Sequence, residues 1–431
     1  MRIIKFVVGL SAMWLASTAV AASVYIHAGR LMAVPGKPVR GPSTIVVDAG
    51  RIVSVEDGLT APPAGATLID LSRQTVLPGL IDSHVHLASD RGGEAGLLSF
   101  VREEPQMNAL EAQMNGMKTL RAGFTTVRNL GDEGATLALR EAVKRGWVQG
   151  PRIVDAASSI STTGGHMDGR GGLNDDLVAH LPSPENLCDG VDACRKVVRR
   201  QIDRGADVIK FATTGGVNSG TGLATRMYED EARALVETAH AYGRKVAVHA
   251  HGADGIKLAL RAGADSIEHG TVMDDEIIKL MKARGTYYVP TLSTVNGYLE
   301  RLAANPNAYA PDVKKQIDWR IGITGQSLLK AAPVGVKIAF GTDAGVSKHG
   351  RNADEFELMV KYGMTSVEAI KAATVNAADL LGLASEIGTI EPGKSADIIA
   401  VAGDPLADVR LLKSVGFVMA RGEVIKANPL P

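Results

Sequence analysis

Along the middle of the chain, apolar and polar positions repeat one order. A helical stretch ends at glycine, a short β-branched run follows, and a polar residue stands where that run stops. LRAGFTTVRNLGD reaches Arg128 in this way, DRGADVIKFATTGG reaches Lys210, AYGRKVAVHAHG reaches His249, LRAGADSIEHG reaches His269 and AAPVGVKIAFGTDAG reaches Asp343. Gly123, Gly205, Gly243, Gly263 and Gly335 suit the left-handed position after a helix, and runs that are apolar nearly throughout suit strands covered on both faces. Alternating helices and buried parallel strands predict an α/β fold. A doubly wound sheet also fits the alternation, but in a barrel the C-terminal strand ends share one rim, where polar residues from many strands can meet. No GxGxxG fingerprint opens a unit. The prediction is therefore a distorted (β/α)8 TIM barrel.

The two ends follow a different pattern. Residues 23–77 alternate apolar and polar positions in VYIHAGRLMAV, STIVVDAGRIVSVEDG and TLIDLSRQTVLPG, with PGKPVRGPS as a turn, and GTIEPGKSADIIAVAG and VGFVMARGEVIKA repeat this character near the C-terminus. They predict one small β-sandwich built from residues 23–77 plus 386–431, flanking a barrel over 78–385. The first residues, MRIIKFVVGLSAMWLASTAVAAS, place Arg2 and Lys5 before an apolar stretch and Ala19 and Ala21 in an A-x-A pattern. Residues 1–22 read as a cleaved signal peptide, the apolar stretch being shorter than the roughly 20 residues of a spanning helix. The expected location is periplasmic or secreted, with no membrane attachment after cleavage.

Composition narrows the partners. Lys plus Arg and Asp plus Glu are 47 each, without a long basic run, so nothing marks a surface for nucleic acid or anionic lipid. A small molecule is the expected partner. The 431 residues accommodate a barrel of about 250 and a smaller domain. Cys188 and Cys194 are the only cysteines. In an oxidising compartment they are a disulfide candidate, the alternative being two unpaired thiols.

Candidate chemistry begins at GLIDSHVHLASD, where His84 and His86 leave the same strand face and can reach one cation. Alone, such a pair could be ordinary polar rim residues. His249, His269 and Asp343 at other strand ends add imidazoles and a carboxylate, a donor set that suits zinc, manganese, iron or nickel. Lys210 needs its own account, because burial among cations penalises an ammonium. Either a carboxylate pairs with it, or its amine reacts with carbon dioxide to give a carbamate that bridges two metal ions.

Together these motifs resemble the amidohydrolase superfamily over nearly the whole mature chain, including PGLIDSHVH and GTIEPGKSADIIAV at the entry to and exit from the barrel. STTGGHMDG, VHAHG and MYEDEARALVETAHAYG are similar to the imidazolonepropionase-related, Xaa-Pro dipeptidase-like branch, which includes carboxypeptidases and ochratoxinase-like amidohydrolases. The resemblance implies two divalent ions, zinc by default. His84, His86 and Asp343 would hold one and His249 and His269 the other, with N6-carboxylated Lys210 and water between. Asp343 would carry the proton from that water to the leaving amine, and His251, two residues past the ligand His249, would donate to the carbonyl or oxyanion. The two histidines could exchange these roles.

His166 follows two glycines in a loop expected after the third strand and is a substrate-binding candidate, against a turn-capping role. Arg226 and Tyr228, near the start of a predicted helix, could bind a substrate carboxylate or simply be solvated. Arg128 reads as a rim salt-bridge partner, and Glu268, facing away from His269, as part of a polar layer under the helices. His27, His180, His240 and His349 read as surface or structural residues, and the Met107–Met117 region as core. The expected activity is release of a C-terminal amino acid from a dipeptide or N-acyl amino acid, ochratoxin A among them. Cyclic amide hydrolysis and noncatalytic metal binding are the alternatives, and the resemblance suggests a homo-oligomer.

Overall fold

A computed structural model describes residues 23–427 apart from 93–95, 97, 100–101, 182–183 and 220–221. The expected signal peptide lies outside the described residues. Three sheets organise the chain. Both ends pair into a single seven-stranded sheet through β1 (Val24–Leu31), β2 (Ser43–Asp48), β3 (Arg51–Asp57), β4 (Thr67–Pro78) and the three C-terminal strands Ile398–Val401, Phe417–Ala420 and Glu423–Ala427. The join is antiparallel: β4 sets Pro78 opposite Ile398 and Thr75 opposite Val401. Ile26, Ile45 and Ile52 share one apolar cluster with Val76, Ile398 and Phe417, so strands from both chain ends bury their faces together.

Gly79 carries the chain from β4 into β5 (Leu80–Val85), and a Cβ there would lie 2.2 Å from the Thr125 side chain. Only glycine admits so close an approach. β5 runs parallel to β6 (Phe124–Asn129), and β6 to β7 (Arg152–Asp155). A second parallel sheet contains β8 (Val208–Ala212), β9 (Lys245–Ala250), β10 (Ser266–His269) and β11 (Tyr287–Val289). Every residue of β5, β6, β8, β10 and β11 is buried, as the continuous apolar runs predicted for covered parallel strands.

Backbone hydrogen bonds join the parallel sheets at both seams. Asp207 N donates to Asp155 O and Ile160 N to Lys210 O on one side. On the other, Tyr288 N donates to Lys337 O, Ser83 N to Phe340 O and Asp343 N to His84 O. The run leading to Asp343, expected as a strand, makes isolated bridges at Ile338 and Ala344 instead of a continuous ladder. Its backbone turns left-handed at Asp343, φ 57°, which ends extended pairing there.

Phe124, Phe340 and Phe356 pack together where helix Asp354–Lys361 meets the sheets, with ring centroids 4.4 Å apart for the latter two. The Met107–Met117 region is one helix, Pro105–Arg121, and it corrects the core assignment. Ala112, Gly116 and Leu120 face inward and Met117 packs against the core, whereas Met107, Leu110 and Met114 are exposed on the outer face. No helix among the described residues is long and apolar enough to cross a membrane.

Cys188 and Cys194 are buried and form a disulfide that ties the approach to helix Val191–Asp203 to its first turn. The loop is short, so the loss of unfolded-state entropy amounts to about 2 kcal/mol. Replacing both residues by alanine is expected to lower the unfolding free energy by that amount in a urea titration and leave the circular dichroism spectrum unchanged.

Candidate metal centre

The C-terminal ends of the parallel strands converge on a cavity of about 450 Å³. Its lining includes His84, His86, His166, Lys210, His249, His251, His269 and Asp343, all singled out in the sequence. His84 lies within β5 and His86 one residue past its end. Asp82 holds this strand against the Asp343 segment: its carboxylate accepts from the backbone N–H groups of His84 and Thr342, the Thr342 hydroxyl and the Asn352 amide. Burial nevertheless raises the Asp82 pKa to about 6.

Four imidazoles are anchored through Nδ1. His84 Nδ1 lies 2.8 Å from Glu268 Oε2 and His86 Nδ1 lies 2.9 Å from Gly131 O. His251 Nδ1 lies 2.7 Å from the Thr271 hydroxyl, and His269 Nδ1 2.8 Å from that of Thr291. Glu268, Gly131 O and the Thr291 hydroxyl, which itself donates to Pro290 O, accept from Nδ1 and leave Nε2 of His84, His86 and His269 as the ligand atom, whereas the Thr271 hydroxyl can donate to His251 Nδ1 and leave the proton on its Nε2. His84 Nε2 is 3.5 Å from both Lys210 Nζ and Asp343 Oδ1, and His86 Nε2 is 3.4 Å from that same oxygen.

Donor atoms of His84, His269 and Asp343 lie within 4.8 Å of one another, as do those of His249, His251 and His269. The site therefore offers two overlapping groups joined by His269. Buried imidazoles and one carboxylate are the chemistry of a borderline divalent cation, so these residues fit metal binding.

Electrostatics agree with that fit. Burial, reinforced by Lys210 and neighbouring imidazoles or arginines, drives the pKa values of His84, His249, His251 and His269 well below 6.5. They are neutral at physiological pH, as ligands must be. Burial also lowers His86, but the bond to Asp132 and the charge of Asp343 outweigh it and the net shift is upward. Burial lowers Lys210 to about 8, bringing the neutral amine within reach near neutral pH, and raises Asp343 above the usual aspartate range.

His166 reaches the cavity from the loop after β7. Its ring lies 4.3 Å from that of His249, and burial followed by the Lys210 and His86 charges depresses its pKa to about 3. Arg226 and Tyr228 do not line the cavity. Tyr228 caps helix Glu229–Ala241 and is 78% exposed, and the Arg226 backbone donates to Thr213 O and accepts from the Thr162 hydroxyl.

Arg128 is a salt-bridge partner as expected, though buried rather than on the rim, and Glu268 differs from expectation. Strict alternation along β10 would send Glu268 away from His269, but the His269 backbone is left-handed, φ 70°, and breaks the alternation. Glu268 therefore bonds His84 and, at 2.8 Å, the buried Arg128 guanidinium. His349 is buried behind the centre, its Nε2 3.0 Å from His86 O. His27, His180 and His240 bond Thr60 O, Asp176 O and Asp265, outside the cavity.

Sequence reasoning missed Arg320 and Tyr298, which line the cavity from helices Pro311–Gly322 and Thr294–Ala304. Arg320 is 3% exposed, bonds the Thr324 hydroxyl and shares its inward helix face with Ile317. That three-residue spacing was the sole available signal, and a single cation on a polar helix does not stand out.

A model of the amidohydrolase family matches residues 75–425. Ochratoxinase of Aspergillus niger is 30% identical over 431 aligned residues, covering 96% of this chain and 88% of that protein. Imidazolonepropionase of Nocardia farcinica is 26% identical, with coverages of 84% and 86%. The crystal structure of a Xaa-Pro dipeptidase with methionine bound in its active site superposes with a TM-score of 0.88 at 40% identity, covering 94% of this chain and 99% of that one. These likenesses define a hydrolase. More particularly, the chain belongs to the amidohydrolase family, in the branch related to imidazolonepropionase and Xaa-Pro dipeptidase.

Glu268→Ala is expected to leave Arg128 buried without its counter-charge and to cost about 3–5 kcal/mol of stability. Denaturant unfolding measures this. A loss below about 1 kcal/mol would show that the ion pair does not hold the two sheets together.

Proposed function

We propose that the protein is a binuclear metal-dependent amidohydrolase that releases a C-terminal amino acid from dipeptides or N-acyl amino acids, ochratoxin A among them. The observation that carries this reading is the buried cluster of neutral imidazoles, Lys210 and Asp343 around a cavity containing one deeply buried arginine. The parallel segments of residues 78–385 form a distorted (β/α)8 barrel, and the terminal sheet folds into a sandwich beside it. Export to the periplasm or outside, after loss of the signal peptide, accords with the Cys188–Cys194 disulfide.

His84, His86 and Asp343 would hold one cation and His249 and His269 the other, with Lys210, carboxylated on its amine, between them. Divalent ions held there, zinc by default, supply Lewis acidity toward the scissile carbonyl and make water nucleophilic near neutral pH. Asp343 accepts the proton of the attacking water and delivers it to the departing amine. Its burial-raised pKa brings acid and base forms closer together in energy. His251, held by Thr271, offers Nε2–H to the developing oxyanion. The substrate carboxylate lies toward Arg320, with the acyl side toward His166.

Four measurements test this. The purified protein should contain about two divalent ions per chain, and a library of dipeptides and N-acyl amino acids should yield free C-terminal amino acids. Turnover confined to cyclic amides would reject the substrate class. Lys210→Ala should lose metal and activity together, whereas a fully active variant would rule out the bridging carbamate. Arg320→Gln should raise KM at least about tenfold for substrates with a free carboxylate but not for their C-terminal amides. Equal effects on both would remove Arg320 from carboxylate recognition.

A further inference from the structure

A second cavity, of about 770 Å³, lies at the opposite ends of the parallel strands. Arg152 begins β7 and Lys245 begins β9, and both line it. Along β9, Lys245 stands four residues before His249, roughly 13 Å at the rise of a strand. The two cavities are therefore separate.

The lining is strongly cationic. Its two carboxylates are already engaged, Asp207 by Arg140 and Glu141 by Arg145, and Arg128 at its inner end is matched by Glu268. Lys144, Arg152, Arg244, Lys245 and Arg421 remain as the excess charge. The Arg244 guanidinium has no hydrogen bond or ion pair among the described residues, and its Nε is buried. Arg152 Nε and Arg421 Nη1 are likewise buried without a partner. Arg152 has a carboxylate only at 3.5 Å, from Asp397. Burial, together with Arg152, outweighs the acids near Arg421 and lowers its pKa, so its charge lacks full compensation.

Buried, unpaired N–H donors on clustered arginines are an anion-binding arrangement, and guanidinium matches the oxygens of phosphate in geometry as well as charge. The cavity is larger than an inorganic anion requires, and Val143, Leu381 and Leu383 supply an apolar wall. We propose that this cavity binds a small organic phosphate or sulfate, its oxyanion between Arg244 and Arg421 and its apolar body against the leucines.

Calorimetric titration of the intact protein at constant ionic strength tests this, with sodium sulfate and phenyl phosphate as probes. Saturable binding at one site per chain is expected, tighter for phenyl phosphate. Arg244→Gln combined with Arg421→Gln should weaken it at least about tenfold, and Arg199→Gln, on the exposed face of helix Val191–Asp203 away from the cavity, should not. Should the double variant fail to fold, Lys144→Gln on the exposed rim should still weaken binding severalfold. Sulfate binding without any gain for phenyl phosphate would overturn the organic ligand. Absence of saturable heat, or undiminished binding in a folded double variant, would overturn the site itself.

Discussion

The Glu268 carboxylate is the contact on which the candidate centre depends. It is wholly buried, and its two oxygens hold partners from the other parallel sheet: His84 of β5 and Arg128 of β6. One side chain thereby links the sheets across their shared interior and turns His84 so that Nε2 points into the cavity. Arg128 also donates to Ser83 O and the Ser266 hydroxyl, so the cation is fully engaged rather than merely neutralised. Buried charge is tolerated only when paired and hydrogen-bonded in this way.

The same interior imposes a problem of like charge. Six imidazoles, a lysine and two arginines line one cavity, with Asp343 as the carboxylate among the candidate ligands. Neutral imidazoles reduce that repulsion, and burial depresses the Lys210 amine toward neutrality. Anchoring Nδ1 to hydroxyls, a carbonyl and Glu268 then commits the opposite nitrogens to the cavity. The chemistry available to a hydrolase of this family follows from how these rings are held as much as from their presence.

The two ends of the parallel strands also differ in kind. At one end the donor atoms converge to within a few ångströms, which suits a cation. At the other, arginines and lysines surround a wider space with apolar walls. The strands insulate one end from the other, so a single α/β scaffold supports opposite electrostatic demands.

Local pattern determined the order of helices and strands, the pairing of both chain ends and the strand positions of His84, Lys210, His249 and His269, because burial on both faces leaves a continuous apolar run and each such run ends where polarity returns. The membership of the cavity followed for the same reason, since parallel strands bring their ends together. Other features arose only in three dimensions. Left-handed backbone at His269 and Asp343 redirects side chains that alternation would send elsewhere, and no local residue pattern announced it. Arg320 enters from a helix remote in sequence, while Arg226 and Tyr228, closer along the chain to the strand ends, remain outside. Residue spacing specifies the face of an isolated element; which faces meet, and which buried charge finds a partner, is decided by packing between distant segments.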